Sequence, residues 1–263
     1  LNNVHMYKLL LSFLLCFNFL TAQNIQSIFL DSGNEIPLLT FDKPADIEDL
    51  ANEEVVKGQM FNFGKFVLCD ISSSKDGLWT EVEGGQVWTL AIVASDAKGI
   101  SLYYDDFWIP SMGELYVYNP SQSQKIGPFT SKHNHSSGVF ATEVIHGDML
   151  ILEYFQPDSE DNDLKLNINR FVYAYRDISG GQLGGYNSSE DCQVNANCSE
   201  GNAWENQKKS VCRIQIGSGW SVGLCTGALV NNTLNNCAPY VLSADHCFSG
   251  GDISENSLNQ SIF

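Results

Sequence analysis

Basic residues are scarce in this chain: its 263 residues include 14 Lys and Arg against 31 Asp and Glu, a formal net charge of −17. Nucleic-acid binding depends on clustered Lys and Arg that contact phosphates, so the sequence argues against a nucleic-acid partner. The deficit lies mainly upstream, because residues 23–185 hold 24 acidic and 10 basic residues, whereas residues 186–263 hold 7 and 3.

Long hydrophobic runs are also missing, apart from one near the start. Residues 9–20 form an apolar run that follows Met6 and Lys8 and precedes Ala22, a small residue at a position typical of signal-peptide cleavage. A membrane-spanning helix needs about 20 apolar residues, so this run is too short to span a bilayer. We interpret residues 1–22 as a secretory signal peptide whose true start is Met6. We therefore expect a protein secreted to the extracellular space or the periplasm, with no membrane contact after cleavage.

Cysteine is absent between Cys69 and Cys192, whereas the last third of the chain is rich in it. Clustered cysteines in an exported protein indicate disulfides, but six cysteines allow 15 pairings and counting cannot choose among them. The six are Cys192, Cys198, Cys212, Cys225, Cys237 and Cys247.

Charged residues are only 17% of the chain and hydrophobic residues 43%, enough apolar material for packed cores. Short runs rich in β-branched and aromatic residues, bounded by Gly, Pro, Asn or Asp, predict strands and an all-β, sandwich-like upstream region. A Gly/Ser-rich stretch at 179–190 predicts a linker, and we divide the chain into residues 23–185 and 186–263. The predicted strands are 65–68, 86–93, 99–104, 114–118 and 148–154.

Two segments after this linker carry chemistry. Segment 225–230 reads CTGALV, and segment 240–247 reads YVLSADHC. Together they resemble the histidine segment and its disulfide partner in trypsin-like serine peptidases. The resemblance implies that His246 is the catalytic general base and that Cys225 pairs with Cys247. A neutral imidazole with a pKa of about 6.5 is suited to take a serine proton and return it to the leaving amine.

The resemblance extends upstream of these segments. Residues 191–202 are similar to the mature N-terminus of the lysyl endopeptidase branch, and residues 208–216 to its first barrel strand. Residues 186–263 would then begin a trypsin-like double β-barrel, and residues 113–154 resemble the pro-region of the same secreted proteases.

On this resemblance Cys192 and Cys198 pair with partners downstream of the chain end, which leaves Cys212 and Cys237 to pair with each other.

The chain also departs from the family pattern. The triad Asp and the nucleophilic Ser of the family lie downstream of Phe263, and so do the residues of its substrate pocket. Asp245 is not a substitute, because neighbours on a strand point to opposite faces, and Ser243 lacks the family's Gly-rich context. No Lys or Arg occurs between Arg176 and Cys192, so self-cleavage after a basic residue would fall at Arg176 or earlier, or another protease trims the chain.

We therefore interpret the chain as the precursor of a secreted serine endopeptidase that acts on proteins or peptides without a cofactor. Whether it prefers to cleave at Lys is left open. The 263-residue chain itself is expected to be inactive. Its upstream region would serve its own catalytic domain as intramolecular chaperone or inhibitor. The rival interpretation is a secreted β-sandwich binding or adhesion protein with a degenerate protease-like tail.

Two further clusters could suggest metal ions. His133 and His135, with His146 nearby, carry metal-ligand side chains, but their segment is polar and loop-like. Asp105 and Asp106 offer too few oxygens for Ca²⁺, which takes 6–8, and are expected to cap a turn. We expect no metal site.

An aromatic cluster in the upstream region could form a carbohydrate-binding platform. Packing in the core of a sandwich is the favoured interpretation for these side chains. They are Trp88, Tyr103, Tyr104, Phe107 and Trp108.

Overall fold

A computed structural model of the protein describes residues 35–54, 60–178, 196, 198–248 and 254–263. The predicted signal peptide, the Gly/Ser-rich linker with the boundary at 185/186, and Cys192 lie outside the described residues. Residues 35–263 cluster as one compact unit. No helix in the described part of the chain is long and apolar enough to cross a membrane.

Strands dominate the described residues, and the helices are short. The strands are β1 Leu38–Phe41, β2 Phe61–Ser72, β3 Leu78–Val82, β4 Gly85–Ala94, β5 Gly99–Trp108, β6 Glu114–Tyr118, β7 Lys125–Phe129, β8 Phe140–Ala141, β9 Ile145–His146, β10 Met149–Pro157, β11 Lys165–Ala174, β12 Val211–Ser218, β13 Ser221–Val230 and β14 Tyr240–Ser243. The helices are α1 Ile47–Asn52, α2 Glu205–Lys208 and α3 Glu255–Asn259, with 3₁₀ turns at Ser131–His133, Ser199–Trp204 and Asp245–Cys247.

The strands form two sheets. The first has the order β1-β4-β10-β6-β7, with β3 also on β4, and the second has the order β12-β13-β2-β11-β5-β8, with β14 on β13 and β9 on β5. Pairing is antiparallel except between β1 and β4. The all-β fold class is confirmed, and each of the five predicted strands lies in or largely overlaps an observed one.

The two sheets pack face to face over a shared core. Trp88, Leu90 and Ile92 alternate along β4 and meet Phe171 and Tyr173 of β11 in one buried cluster. Alternation of this kind places every second side chain of a strand on the same face, and burying those faces stabilises the sandwich. Of the aromatic residues expected in the core, Trp88, Tyr104 and Phe107 lie in this cluster. Tyr103 is buried in a second cluster, and Trp108 is 47% exposed.

One local expectation was wrong. Asp105 and Asp106 do not cap a turn but lie exposed within β5. Asn167 pairs with Asp106 and Ile168 with Tyr104, so Asp105 is an extra residue in a bulge. Its carboxylate accepts a hydrogen bond of 2.6 Å from the Asn167 side chain. Pairing with β11 continues on both sides of the bulge, and both carboxylates are exposed.

The C-terminal strands extend the second sheet. β12, β13 and β14 form an antiparallel set whose central strand, β13, also pairs with β2 of the upstream region. Among the described residues these strands do not close a barrel. Ile262 adds a single antiparallel bridge to Gln215 of β12.

Candidate active site

The candidate site lies where β14 ends. β13 and β14 pair in an antiparallel register that sets Gly227 opposite Ser243. After β14 the backbone makes one 3₁₀ turn, in which the Cys247 amide donates to Ala244 O at 3.1 Å. His246 is the middle residue of this turn, so its position is fixed by the strand pairing that precedes it.

A disulfide fastens the turn to the neighbouring strand. Cys247, on the turn, is bonded to Cys225, on β13, with an S–S distance of 2.06 Å and a Cα–Cα distance of 6.2 Å. Cys247 is buried and packs in a small apolar cluster with Ile214 and Ile216 of β12. The residue after the histidine is therefore held both covalently and by packing, which limits the movement of His246.

The imidazole of His246 is exposed to solvent. One of its ring nitrogens and the sulfurs of Cys225 and Cys247 lie within 4.8 Å of one another. No group in the described part of the chain forms a hydrogen bond with the ring. A peptide could therefore approach His246, and the group that would orient its tautomer is not among the described residues.

These three residues do not make a metal site in this state. A sulfur ligand binds a metal as the thiolate, and the disulfide leaves neither Cys225 nor Cys247 with a thiolate.

Two neighbours of His246 are engaged elsewhere or turned to solvent. The Ser243 hydroxyl donates to Thr226 O of β13 at 2.8 Å, so it serves the strand pairing. Asp245 is exposed and forms no ion pair with His246 within the described residues. Neither residue is placed as a nucleophile or as the acid of a triad.

The pairing expected for Cys212 and Cys237 is not formed in this structure, where both are free thiols. Cys212 lies on β12 opposite Gly227 and packs inward against the cluster that contains the Cys225–Cys247 disulfide. Cys237 is exposed in the connection between β13 and β14, where its backbone adopts a φ of 58°. The two side chains therefore belong to different environments. Cys198 is also an exposed free thiol.

The three histidines considered as metal ligands, His133, His135 and His146, lie in separate environments. The His133 ring accepts a hydrogen bond from the Thr130 amide at 3.0 Å, and the His135 ring bonds the Ser137 hydroxyl at 2.7 Å. The Nδ1 atom of His146 is buried and has no partner among the described residues. The three do not form a cluster of metal ligands in the described part of the chain.

Sequence reasoning missed a polar cluster between the upstream region and α3. The guanidinium of Arg170 lies 4.1 Å from the ring centroid of Phe66 and donates to Gln260 Oε1 at 3.2 Å. Burial lowers the pKa of Arg170. A cavity of about 320 Å³ adjoins these residues, and His246 does not line it. The available signal was Arg170 beside Asn169, two polar residues in a row at the point where the alternation of residues 165–169 breaks.

One comparison with known families gives a match for the C-terminal part of the chain. Residues 186–263 match the family model described as lysyl endopeptidase, C-terminal domain. The match supports a lysyl endopeptidase-related family for this part of the chain, and such peptidases act on proteins. No solved structure matches the chain.

Proposed function

We propose that the chain is the precursor of a secreted serine endopeptidase and that His246 is the general base of its catalytic triad. One observation carries the proposal. An exposed imidazole lies on a turn that a disulfide fastens to a neighbouring strand, within the segment that matches the lysyl endopeptidase family.

General-base catalysis requires a histidine that is both fixed in position and accessible to the substrate. A general base must lie about 2.6–3.2 Å from the hydroxyl that it deprotonates, so its backbone must be fixed while its ring stays accessible. The disulfide between Cys225 and Cys247 meets the first demand, and the exposure of His246 meets the second. His246 would accept the proton of the nucleophilic serine and deliver it to the leaving amine. The resemblance implies that this serine and the triad aspartate follow Phe263 in the sequence.

The remaining parts of the chain fit a precursor. Residues 1–22 would direct secretion, residues 23–185 would form the pro-region, and residues 186–263 would begin the peptidase domain. Preference for Lys at the cleaved bond is proposed from the family match alone.

The environment of Arg176 supports trimming by another protease. Its guanidinium donates to the carbonyl oxygens of Asn62 at 2.8 Å and Glu53 at 2.7 Å, and it is half-buried. A peptidase that cuts after Arg must draw this side chain into its own pocket, which would require these bonds to break first. Cleavage after Arg176 in the folded precursor is therefore disfavoured.

The proposal is tested with a serine-directed fluorophosphonate probe. We expect the 263-residue chain to remain unlabelled and the product of the gene read beyond Phe263 to be labelled. In that longer product, His246→Ala should lower the labelling rate and peptide hydrolysis by about 10⁴-fold or more. His135→Ala, which alters an exposed histidine of the upstream region, is the matched control and should change neither.

Labelling of the 263-residue chain itself would contradict the proposed roles of the segments. A longer product that folds but takes no label would favour the rival function, a secreted binding module with a degenerate protease-like tail.

A further inference from the structure

The upstream region and the C-terminal segment share one sheet. Residues 221–224 of β13 pair in antiparallel fashion with residues 61–65 of β2, from Ser221 opposite Lys65 to Leu224 opposite Phe61. The Phe66 amide also donates to Trp220 O at 2.9 Å. The edge of β2 thus receives the β12–β13 hairpin as an added strand pair, a mode of recognition in which main-chain bonds supply the affinity.

Apolar side chains from both sides are buried at this junction. Val222 of β13 is 0% exposed and packs in one cluster with Phe63, Phe66 and Val172 of the upstream region. Gly217 allows the close approach, since a Cβ at that position would lie 2.7 Å from Phe66 Cζ. Such burial of apolar surface is the main driving force for association.

Two buried glutamines join the sides by hydrogen bonds. Gln215 of β12 is 5% exposed, and its amide nitrogen donates to the Ser101 hydroxyl at 2.9 Å and to the Tyr103 hydroxyl at 3.3 Å. Gln260 is 4% exposed and donates to Tyr104 O at 2.9 Å and to Phe140 O at 3.0 Å. A buried polar group that loses its partner is costly, so these bonds resist separation.

We propose that residues 35–178 are a binding platform for residues 198–263, and that hydrolysis of the connecting chain leaves a tight non-covalent complex. The binding itself does not depend on the proposed function, but its consequence for activation of the peptidase rests on it. Dissociation of the platform, rather than scission of the peptide bond, frees the segment that carries His246.

The platform supports the segment without plugging its site. Its contacts involve β12, the first half of β13 and residues around Gln260, whereas His246 stays exposed at the far end of β14. Of the two roles considered for the upstream region, the structure therefore favours a template for the hairpin over a cover for the histidine.

The test uses the full chain with a recognition sequence for a site-specific protease inserted between Ile178 and Ala196. After cutting, completeness is checked by denaturing electrophoresis, and the native product is passed over a size-exclusion column at micromolar and nanomolar concentrations. We expect the two pieces to elute together. Elution as two separate species at micromolar concentration would overturn the proposal.

A variant tests the glutamine contacts. Gln215→Ala leaves the Ser101 and Tyr103 hydroxyls without this partner and should speed dissociation of the cut complex by about tenfold or more. Gln207→Ala, an exposed glutamine of α2, is the matched control and should have no effect. Circular dichroism of each uncut variant shows whether it has folded, and the wild-type co-elution result stands whatever the variant does.

Equal dissociation rates for the two variants would refute the role assigned to Gln215. Neither readout involves peptidase activity, so loss of the complex and loss of the proposed enzymatic function are distinguishable outcomes.

Discussion

The upstream region and the C-terminal segment are stabilised in different ways. The upstream region buries a large core between two sheets, in which Trp88, Leu152 and Phe171 are each 0% exposed. The C-terminal segment has only a small buried cluster, against which Met60 of the upstream region also packs, and leaves Leu234 79% and Leu242 65% exposed. Hydrophobic burial therefore accounts for the stability of the first region, whereas the second depends on a disulfide and on sheet pairing with the first.

The position of the candidate site follows this contrast. His246 lies in the part with little buried core, and its position is held by one covalent bond and by the register of β13 and β14. The catalytic proposal therefore concerns the part of the molecule that buries less apolar surface. Four measurements test this contrast between the two regions.

The largest effect is expected from removing a core tryptophan. Trp88→Ala deletes a side chain that is 0% exposed and whose indole donates to Asp76 O at 2.8 Å. It should lower the free energy of unfolding by about 3–5 kcal/mol, measured by urea denaturation. Trp204→Ala, at a residue 58% exposed in the C-terminal segment, should cost about 0.5 kcal/mol or less. Similar costs for both variants would contradict the contrast between the regions.

Loss of the disulfide should act on one region alone. Replacing Cys225 and Cys247 together by Ser opens a loop with a sequence separation of 22 and should cost the C-terminal strands about 2–4 kcal/mol. Amide hydrogen exchange is expected to accelerate in β13 and β14 and to stay unchanged in β4 and β10. Cys198→Ser, at a free thiol, is the control. Equal acceleration in all four strands would show that the regions unfold as one.

Thiol labelling should separate the free cysteines by region. Burial raises the pKa of Cys69 on β2 to about 12, and its thiol donates to Ile168 O at 3.3 Å. Alkylation proceeds through the thiolate, and the raised pKa lowers the fraction of Cys69 that is thiolate at pH 8. A thiolate of higher pKa is a better nucleophile, but this offsets only part of the loss. Cys69 should therefore react at least about tenfold more slowly at pH 8 than exposed Cys198 and Cys237. Mass spectrometry of a timed alkylation gives the order. Faster labelling of Cys69 would mean that β2 opens readily.

The smallest effect concerns Glu160, which follows β10. Hydrogen bonds from the side chain and amide of Asn162, from the Ser111 hydroxyl and from the Met112 amide lower its pKa from 4.5 to about 2. A carboxyl whose pKa is lower in the folded state stabilises it above the unfolded pKa and loses that contribution as the pH falls toward 2.

The free energy of unfolding, measured at several pH values between 5 and 2, should decrease as the pH is lowered. The decrease should be smaller in Glu160→Gln. Glu255→Gln in the C-terminal helix α3, at an exposed residue, is the control and should leave the slope unchanged. An identical slope in Glu160→Gln would remove Glu160 as its source.

Strands with an uninterrupted apolar pattern could be predicted from sequence, and β4 is an example. β11 was missed, although it lies in the middle of the second sheet. Leu166 and Ile168 contribute to the shared core with a period of two. The next residues of β11 in that core cluster are Phe171 and Tyr173, because the register shifts after Ile168. A bulge moves the following side chains to the other phase, so the alternation across β11 is broken in the sequence while the strand itself continues.

The site shows the same division. Segment 240–247 indicated the strand, the histidine at its end and the cysteine that follows it, because these features lie within a few residues of one another. The turn that holds His246 became visible only in the structure. The state of Cys212 could not be obtained in this way. Which side of β12 faces the cluster, and where Cys237 lies, depend on strand pairing rather than on the spacing of cysteines.

Local sequence patterns specify the all-β character, the apolar faces of the strands with regular alternation and the segment that carries His246, because each depends on residues close together in the chain. The pairing of β13 with β2 and the hydrogen bonds of Gln215 and Gln260 across the junction are visible only in the folded chain. These contacts join residues more than 100 positions apart, and such pairing is selected by the geometry and burial of the whole sheet, which no local pattern encodes.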